Sequence, residues 1–224
     1  MKKTQTMIRH TSVLILVLLT WIVFFLFSKK VMINLTAEDH FFEWTGTILL
    51  LASSIVFFVT FLRCKKGNDL FILKTKRNYF FFFLAIMFFL AFGEELSWGQ
   101  RIFNLHPDEL INRLNDQQEI NIHNLRCFRG ALNANHLFTY FWVTYCLIVP
   151  VLYRKSSVAA AFFNKINLPN VPFWLGMFFL FSYSISLALK LNLSDIPQAV
   201  SEVKETSISS LFFIFSIICL NENC

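Results

Sequence analysis

The feature that most limits how this chain can fold is the stretch YFFFFLAIMFFLAF, Tyr79–Phe92, which carries no charge. It belongs to one of six apolar runs, at about 11–28, 41–62, 78–100, 135–152, 171–189 and 197–220. In hydrocarbon an unpartnered backbone N–H or C=O costs several kcal/mol, and a helix satisfies nearly all of its own. A hydrocarbon core about 30 Å thick needs about 20 residues at 1.5 Å each. The runs therefore predict an all-α, polytopic transmembrane helical bundle of about six helices in a single integral membrane domain. Composition agrees, with 15% charged residues and 29 Phe in 224 positions, against roughly 25% charged in soluble domains. The first run ends in Lys29-Lys30 with no small-residue cleavage site, so it reads as a retained helix and not a cleaved signal.

The last run is too short to span from Ser207. SDIPQAVSEVKETSISS extends it backward, because Asp195 can cap a helix and Pro197 can open one. The result is a helix of about 24 residues, roughly 36 Å long, with a polar first half that must pack against protein.

Charge sets the expected orientation. Twelve of the 20 Lys and Arg residues fall in the N-terminal tail and in the loops after the second and fourth runs. The positive-inside rule then puts both termini in the cytoplasm of a cytoplasmic (inner) membrane. The net charge of +6 is spread over segment ends and forms no stripe, which argues against a nucleic-acid partner. Membrane lipids, a membrane-protein partner or a second copy of the chain are the expected partners. Five cysteines without C-x-x-C spacing indicate neither a disulfide framework nor a thiolate zinc site.

Four polar stretches fall on the expected outer side: NLTAEDHFFEW (Asn34–Trp44), GEELSWGQR (Gly93–Arg101), QQEINIHNL (Gln117–Leu125) and SDIPQAVSEVKE (Ser194–Glu205). They are expected to meet in one outward-facing pocket. To span, the third helix must run one or two turns past Gly93, setting Glu94 and Glu95 at the membrane boundary. At 100° per residue Glu94, Ser97, Trp98 and Arg101 share a face, with Arg101 the nearest partner for Glu94. One reading is an ion-paired interfacial anchor. The other is a site where Glu94 and Glu95 do acid–base work or bind metal, Arg101 holds a phosphate or carboxylate, and His123 moves a proton.

Asp39, Glu43, Ser97, Gln100, Glu119 and Asn124 complete the candidate pocket. Leu110, Ile111 and Leu114 mark an interfacial helix in the third loop, and in EINIHNL the residues Ile120, Ile122 and, less regularly, Leu125 are expected to face inward. No H-E-x-x-H occurs and no two His lie three or four apart. A metal, if held, would take Glu94, Glu95 and His123, a set that suits a hard divalent cation. Nucleophile-elbow, Walker and dinucleotide motifs are absent.

Glu38, Asp39, Glu43 and Trp44, then Gly93 to Arg101, then Gln117, Glu119, Asn121, His123, Asn124 and Leu125 resemble the marks of an uncharacterised family of bacterial multi-pass membrane proteins. The likeness spans roughly 34–125 and implies a fold but no activity. FFEWTGT, Phe41–Thr47, faintly resembles a helix opening in the alkaline ceramidase group of membrane metal-hydrolases, whose H-x-x-x-H pair this chain lacks. Three functions stay open: a hydrolase or transferase acting on a lipid or lipid-linked substrate, a non-catalytic assembly subunit, and a small transporter.

Overall fold

The computed structural model describes residues 2–64, 67–70, 73–115, 119–122, 125–128 and 134–223, and the architecture is an all-α bundle. Helix α1 (Lys2–Leu26) is followed by the short α2 (Lys29–Leu35), then α3 (Phe41–Arg63) and α4 (Tyr79–Glu95). Short helices α5 (Gln100–Phe103) and α6 (Glu109–Leu114) occupy the third loop. Helix α7 (Ala134–Val143) continues through a π-helical segment, Thr144–Ile148, into α8 (Val149–Lys155). Then come α9 (Ser157–Lys165), α10 (Phe173–Asn192) and α11 (Pro197–Asn223). A two-residue antiparallel pairing, β1 (Asp69–Leu70) with β2 (Leu73–Lys74), lies between α3 and α4.

Among the described residues, five helices are long and apolar enough to cross a membrane: α1, α3, α7 through α8, α10 and α11. The chain is thus built for a membrane. With 17 residues, α4 is shorter, yet it packs along α3 and buries Phe81, Leu84, Ala85 and Phe88. Helix α11 is the centre of the bundle. Its spanning window is 61% buried, against 17% for α1, and it lies against α3 and α10. Phe57 of α3, Phe88 of α4, Phe179 of α10 and Phe212 and Phe215 of α11 form the fully buried aromatic core.

Lipid supplies no hydrophobic force between helices, so hydroxyl bonds and close packing hold the bundle. The Ser54 hydroxyl donates to the Ala85 carbonyl at 2.8 Å, tying α3 to α4. Thr206 Oγ1 donates to the Phe42 carbonyl at 2.9 Å, tying α11 to α3. Ser182 Oγ donates to Ser207 Oγ and accepts from Trp21 Nε1, linking α10, α11 and α1. Bonds of this kind contribute about 0.6 kcal/mol each. Pro150 has no N–H to offer the Cys146 carbonyl four residues back. In the π segment the Val149 N–H donates to Thr144 instead, and the bare face of Gly176 in α10 fits against the Cys146 carbonyl.

The two ends differ. Arg9 and Glu222 pair at 3.5 Å, so both termini lie at one end. There Asn68 and Asn78 donate to the carbonyls of Ile166 and Asn167, fastening the α3–α4 connection to the turn after α9. That helix, α9, falls in a stretch the charge count treats only as a basic loop. Against the expectation of unpaired cysteines, Cys64 is disulfide-bonded, while Cys127, Cys146 and Cys219 form no disulfide. At the opposite end Lys29 donates to Asp195 at 2.5 Å, joining α2 to the α10–α11 turn. That hydrogen bond holds the Asp195 carboxyl below its ordinary value. The tie is therefore present at neutral pH and is lost only as pH falls through the lowered value.

Gly176→Ala drives a Cβ into the Cys146 carbonyl, which is backbone and cannot swing away. We expect a loss of about 1–3 kcal/mol, read as a lower thermal midpoint in mild detergent. Gly46→Ala places its Cβ 3.5 Å from Thr206, an ordinary contact. It should be neutral or stabilising, by up to about 1 kcal/mol of helix propensity.

Candidate functional site

The sequence placed the end of the third spanning helix near residue 100, but α4 stops at Glu95. Ser97, Trp98 and Gly99 follow in the left-handed region, with φ of 46°, 53° and 80°. For a non-glycine residue this conformation costs roughly 1–2 kcal/mol. The Trp98 ring folds back over Gly93, where a Cβ would come within 2.7 Å of an indole carbon. Ser97 and Trp98 therefore leave the helical face on which they were expected, though Trp98 Nε1 still donates to Glu94 Oε1 at 2.7 Å.

What stabilises this turn is the third loop. Glu94 Oε2 accepts from the Ile122 N–H at 2.6 Å. Ser97 Oγ donates to Glu119 Oε2 at 2.9 Å and accepts from Asn121 Nδ2 at 3.0 Å. Asn121 also donates to Glu119 at 2.6 Å, and its Oδ1 accepts from Asn115. Gln100 Oε1 accepts from the Ile120 N–H at 2.5 Å. The polar Asn121, only 5% exposed, is thus the residue that faces inward, whereas Ile122 is 55% exposed. The expectation for Ile122 is reversed because Asn121 finds a partner for each polar edge and an isoleucine could not.

Above the aromatic core, the ends of α3, α4, α10 and α11 enclose a cavity of about 600 Å³. All four polar stretches contribute to it: Thr36, Glu38 and Glu43 from the first, Glu94 and Glu95 from the second, Glu119 from the third, and Gln198, Ser201, Glu202 and Glu205 from the fourth. Phe42, Leu50, Ala91 and Phe138 give it an apolar floor and sides. Lys190, in the last turn of α10, is the lysine on its wall.

The carboxylates differ in how they are held. Glu43 Oε2 accepts from the Asp39 N–H at 2.5 Å, closing the first turn of α3. Asp39 itself is exposed with φ of 60°, and its neighbour Glu38 lines the cavity in its place. Glu94 and Glu119 serve the loop as described, and Glu205 pairs with Lys204 at 3.4 Å. Among the described residues, Glu95 and Glu202 have neither a side-chain hydrogen bond nor an ion pair. Both face the cavity, and Glu95 has Glu205, Glu202, Glu43 and Glu94 as its electrostatic neighbours.

His123 and Asn124 lie outside the described residues, as does the side chain of Arg101. Among the described residues no three His, Cys, Asp or Glu side chains converge as metal ligands. Sequence reasoning named the fourth stretch but passed over Glu202 and Glu205, and it did not name Lys190. The signal was available: Gln198, Ser201, Glu202, Glu205 and Ser209 recur at helical spacing on one face of α11. No family model, curated protein or solved structure matches the chain.

Glu94→Gln keeps the shape of the side chain but turns one of its two acceptors into a donor. One of the bonds to Trp98 and Ile122 must be lost, at about 1–3 kcal/mol locally. Limited trypsin digestion should then cut at Arg113 faster than in the parent, while the thermal midpoint of the bundle moves little.

Proposed function

We propose that this protein is a membrane-embedded hydrolase or transferase acting on a lipid or lipid-linked substrate, with its chemistry in the acidic cavity. The observation that carries this reading is the pair Glu95 and Glu202. They approach one cavity from two different helices and take no hydrogen bond from the described protein. Acid–base transfer needs one group to donate a proton and another to accept it, within reach of the same bound molecule. The cavity lies at the end of the bundle where the helices begin and stop, next to apolar walls that suit a lipid chain. Glu94 acts here as a fastener of the third loop, so Glu95 takes the first acid–base role. His123 and Arg101 stay candidates for proton transfer and anion binding. A hard divalent cation held by Glu94, Glu95 and His123 is a variant of the same proposal.

The second reading, an assembly subunit, is favoured by the internally satisfied network of Glu94, Ser97, Glu119 and Asn121. Such a network orders a loop for a partner or a second copy to grip.

We place the protein in a bacterial inner membrane with both termini in the cytoplasm, on the distribution of Lys and Arg and on the GEELSWGQR resemblance. The Cys64 disulfide lies at the basic end, and disulfides persist mainly in oxidising compartments. The charge count draws on the whole chain and outweighs that single bond in this reading. A C-terminal green-fluorescent-protein fusion should fluoresce, and a C-terminal alkaline-phosphatase fusion should be inactive. The opposite pattern reverses the orientation.

The test of chemistry is to incubate the purified protein in nanodiscs with a total bacterial lipid extract and follow products by mass spectrometry. Glu95→Gln and Glu202→Gln should stay monodisperse and abundant while losing turnover about 10²–10⁴-fold. If the parent protein changes no lipid, the enzymatic reading falls. If the variants instead lose abundance, the carboxylates are structural.

A further inference from the structure

We infer that the turn after α4 and the short helix α5 lie in the lipid head-group layer, with Trp98, Ile102, Phe103, Leu105 and Ile122 as the face that meets lipid. This surface lies outside the cavity and stands apart from the reading of its chemistry.

Five crossings would leave the two termini on opposite sides, yet Arg9 and Glu222 pair at one end. Helix α4 supplies the sixth crossing. It runs from Asn78, fastened at that end to the turn after α9, to Glu95 at the cavity. Its 17 residues rise only about 25 Å, against a hydrocarbon core of about 30 Å. The shortfall is not made up before Tyr79, because Lys74, Lys76 and Arg77 precede the helix and Asn78 is bonded into protein. The residues after Glu95 therefore sit at the depth where hydrocarbon gives way to head groups.

Their chemistry suits that depth. From Leu96 to Leu105 the sequence holds Arg101 as its one charge. Phe103 is 72% exposed and Ile102 56%, and Trp98, Leu105 and Ile122 are exposed with them. The polar members of the same segment point the other way: Ser97 and Gln100 bond to Glu119 and to the Ile120 N–H of the third loop. Apolar and polar side chains are thus parted as in a helix lying on a membrane. The Trp98 ring meets Phe89 edge-on at 6.4 Å, and Phe83, Ile86, Phe89 and Leu90 are exposed along α4. Ile122 joins Trp98 through Glu94, which accepts from both. A tryptophan with its ring among apolar groups and its N–H on a polar partner is the residue that marks a membrane boundary. The face is continuous with the exposed side of a crossing helix, and that continuity selects lipid over a partner protein or a second copy of the chain.

The test places a nitroxide on Phe103→Cys of the full chain in nanodiscs of phosphatidylethanolamine and phosphatidylglycerol. Cys127 is the exposed one among the described cysteines without a disulfide, so the background is Cys127→Ser, and its own signal is subtracted. Collision with oxygen, which concentrates in the bilayer, is compared with collision with a water-soluble nickel chelate. Lys76→Cys, at an exposed basic position, gives the aqueous reference, and Phe83→Cys on α4 gives the lipid reference. We expect the oxygen-to-nickel ratio at 103 to fall on the lipid side of the midpoint between them. A ratio on the aqueous side overturns the inference. Weak collision with both reagents means that protein covers the face, which overturns it equally, with spin–spin broadening marking a second copy as the cover. If Phe103→Cys is not monodisperse, Ile102→Cys is read against the same references.

Discussion

The architecture depends on where the first half of α11 goes. Pro197 to Ser210 carries Gln198, Ser201, Glu202, Lys204, Glu205, Thr206, Ser207 and Ser209 in one unbroken helix with an apolar second half. A polar half-helix at the membrane boundary cannot face lipid, because each unsatisfied hydroxyl or carboxylate there costs several kcal/mol. Burying it needs partners with matching polar groups. α3 offers the Phe42 carbonyl to Thr206, and α10 with α1 offers the Ser182–Trp21 chain to Ser207. Thr206, Ser207 and Ser209 become buried as a result. Gln198, Ser201, Glu202 and Glu205 of the same half line the space left between the helix ends. The cavity follows from inserting that half-helix.

The bundle was legible in the sequence because its signals are periodic and local. Apolar runs of spanning length force helices, and Asp195 with Pro197 correctly started α11 well before its apolar part. The convergence of four polar stretches followed from alternating loop sides, which needs only the number of crossings to be right. The end of α4 was not legible. GEELSWG has no proline, and nothing in it marks serine and tryptophan for left-handed φ. The turn exists because Glu94, Glu119, Asn121 and Gln100 meet across more than twenty residues of sequence, and such a meeting leaves no local trace. Glu202 was missed for the opposite reason: an acid near the start of a helix is ordinary, and only the face it shares with Gln198, Ser201 and Glu205 sets it apart.

The third loop illustrates how strain is held. Two left-handed residues, Ser97 and Trp98, cost roughly 1–2 kcal/mol each. Hydrogen bonds to Glu94, Ser97 and Gln100 contribute about 0.5–1.5 kcal/mol apiece, and more where the acceptor is charged. The sums are comparable, so the turn persists only while the loop is docked, and the loop stays docked only while the turn presents Ser97 and Gln100. Trp98 reports on both, with its ring over Gly93 and its N–H on Glu94. Glu119 then reaches the cavity as a consequence of this mutual support, and the wall it provides is as firm as the turn.

A scaffold built only for strength would treat all its carboxylates alike. Here Glu94 receives two donors, Glu119 two, and Glu43 a backbone N–H at a helix start where negative charge is already favoured. Among the described residues Glu95, adjacent to Glu94 in sequence, receives none, and neither does Glu202 of the central helix. Replacing either by glutamine or leucine would remove crowded like charges, which a purely structural role should favour. The bundle instead keeps both, with their acidic neighbours, around a space large enough for a polar head group. Glu95 and Glu202 are therefore the carboxyl groups whose place the packing of the helices does not account for.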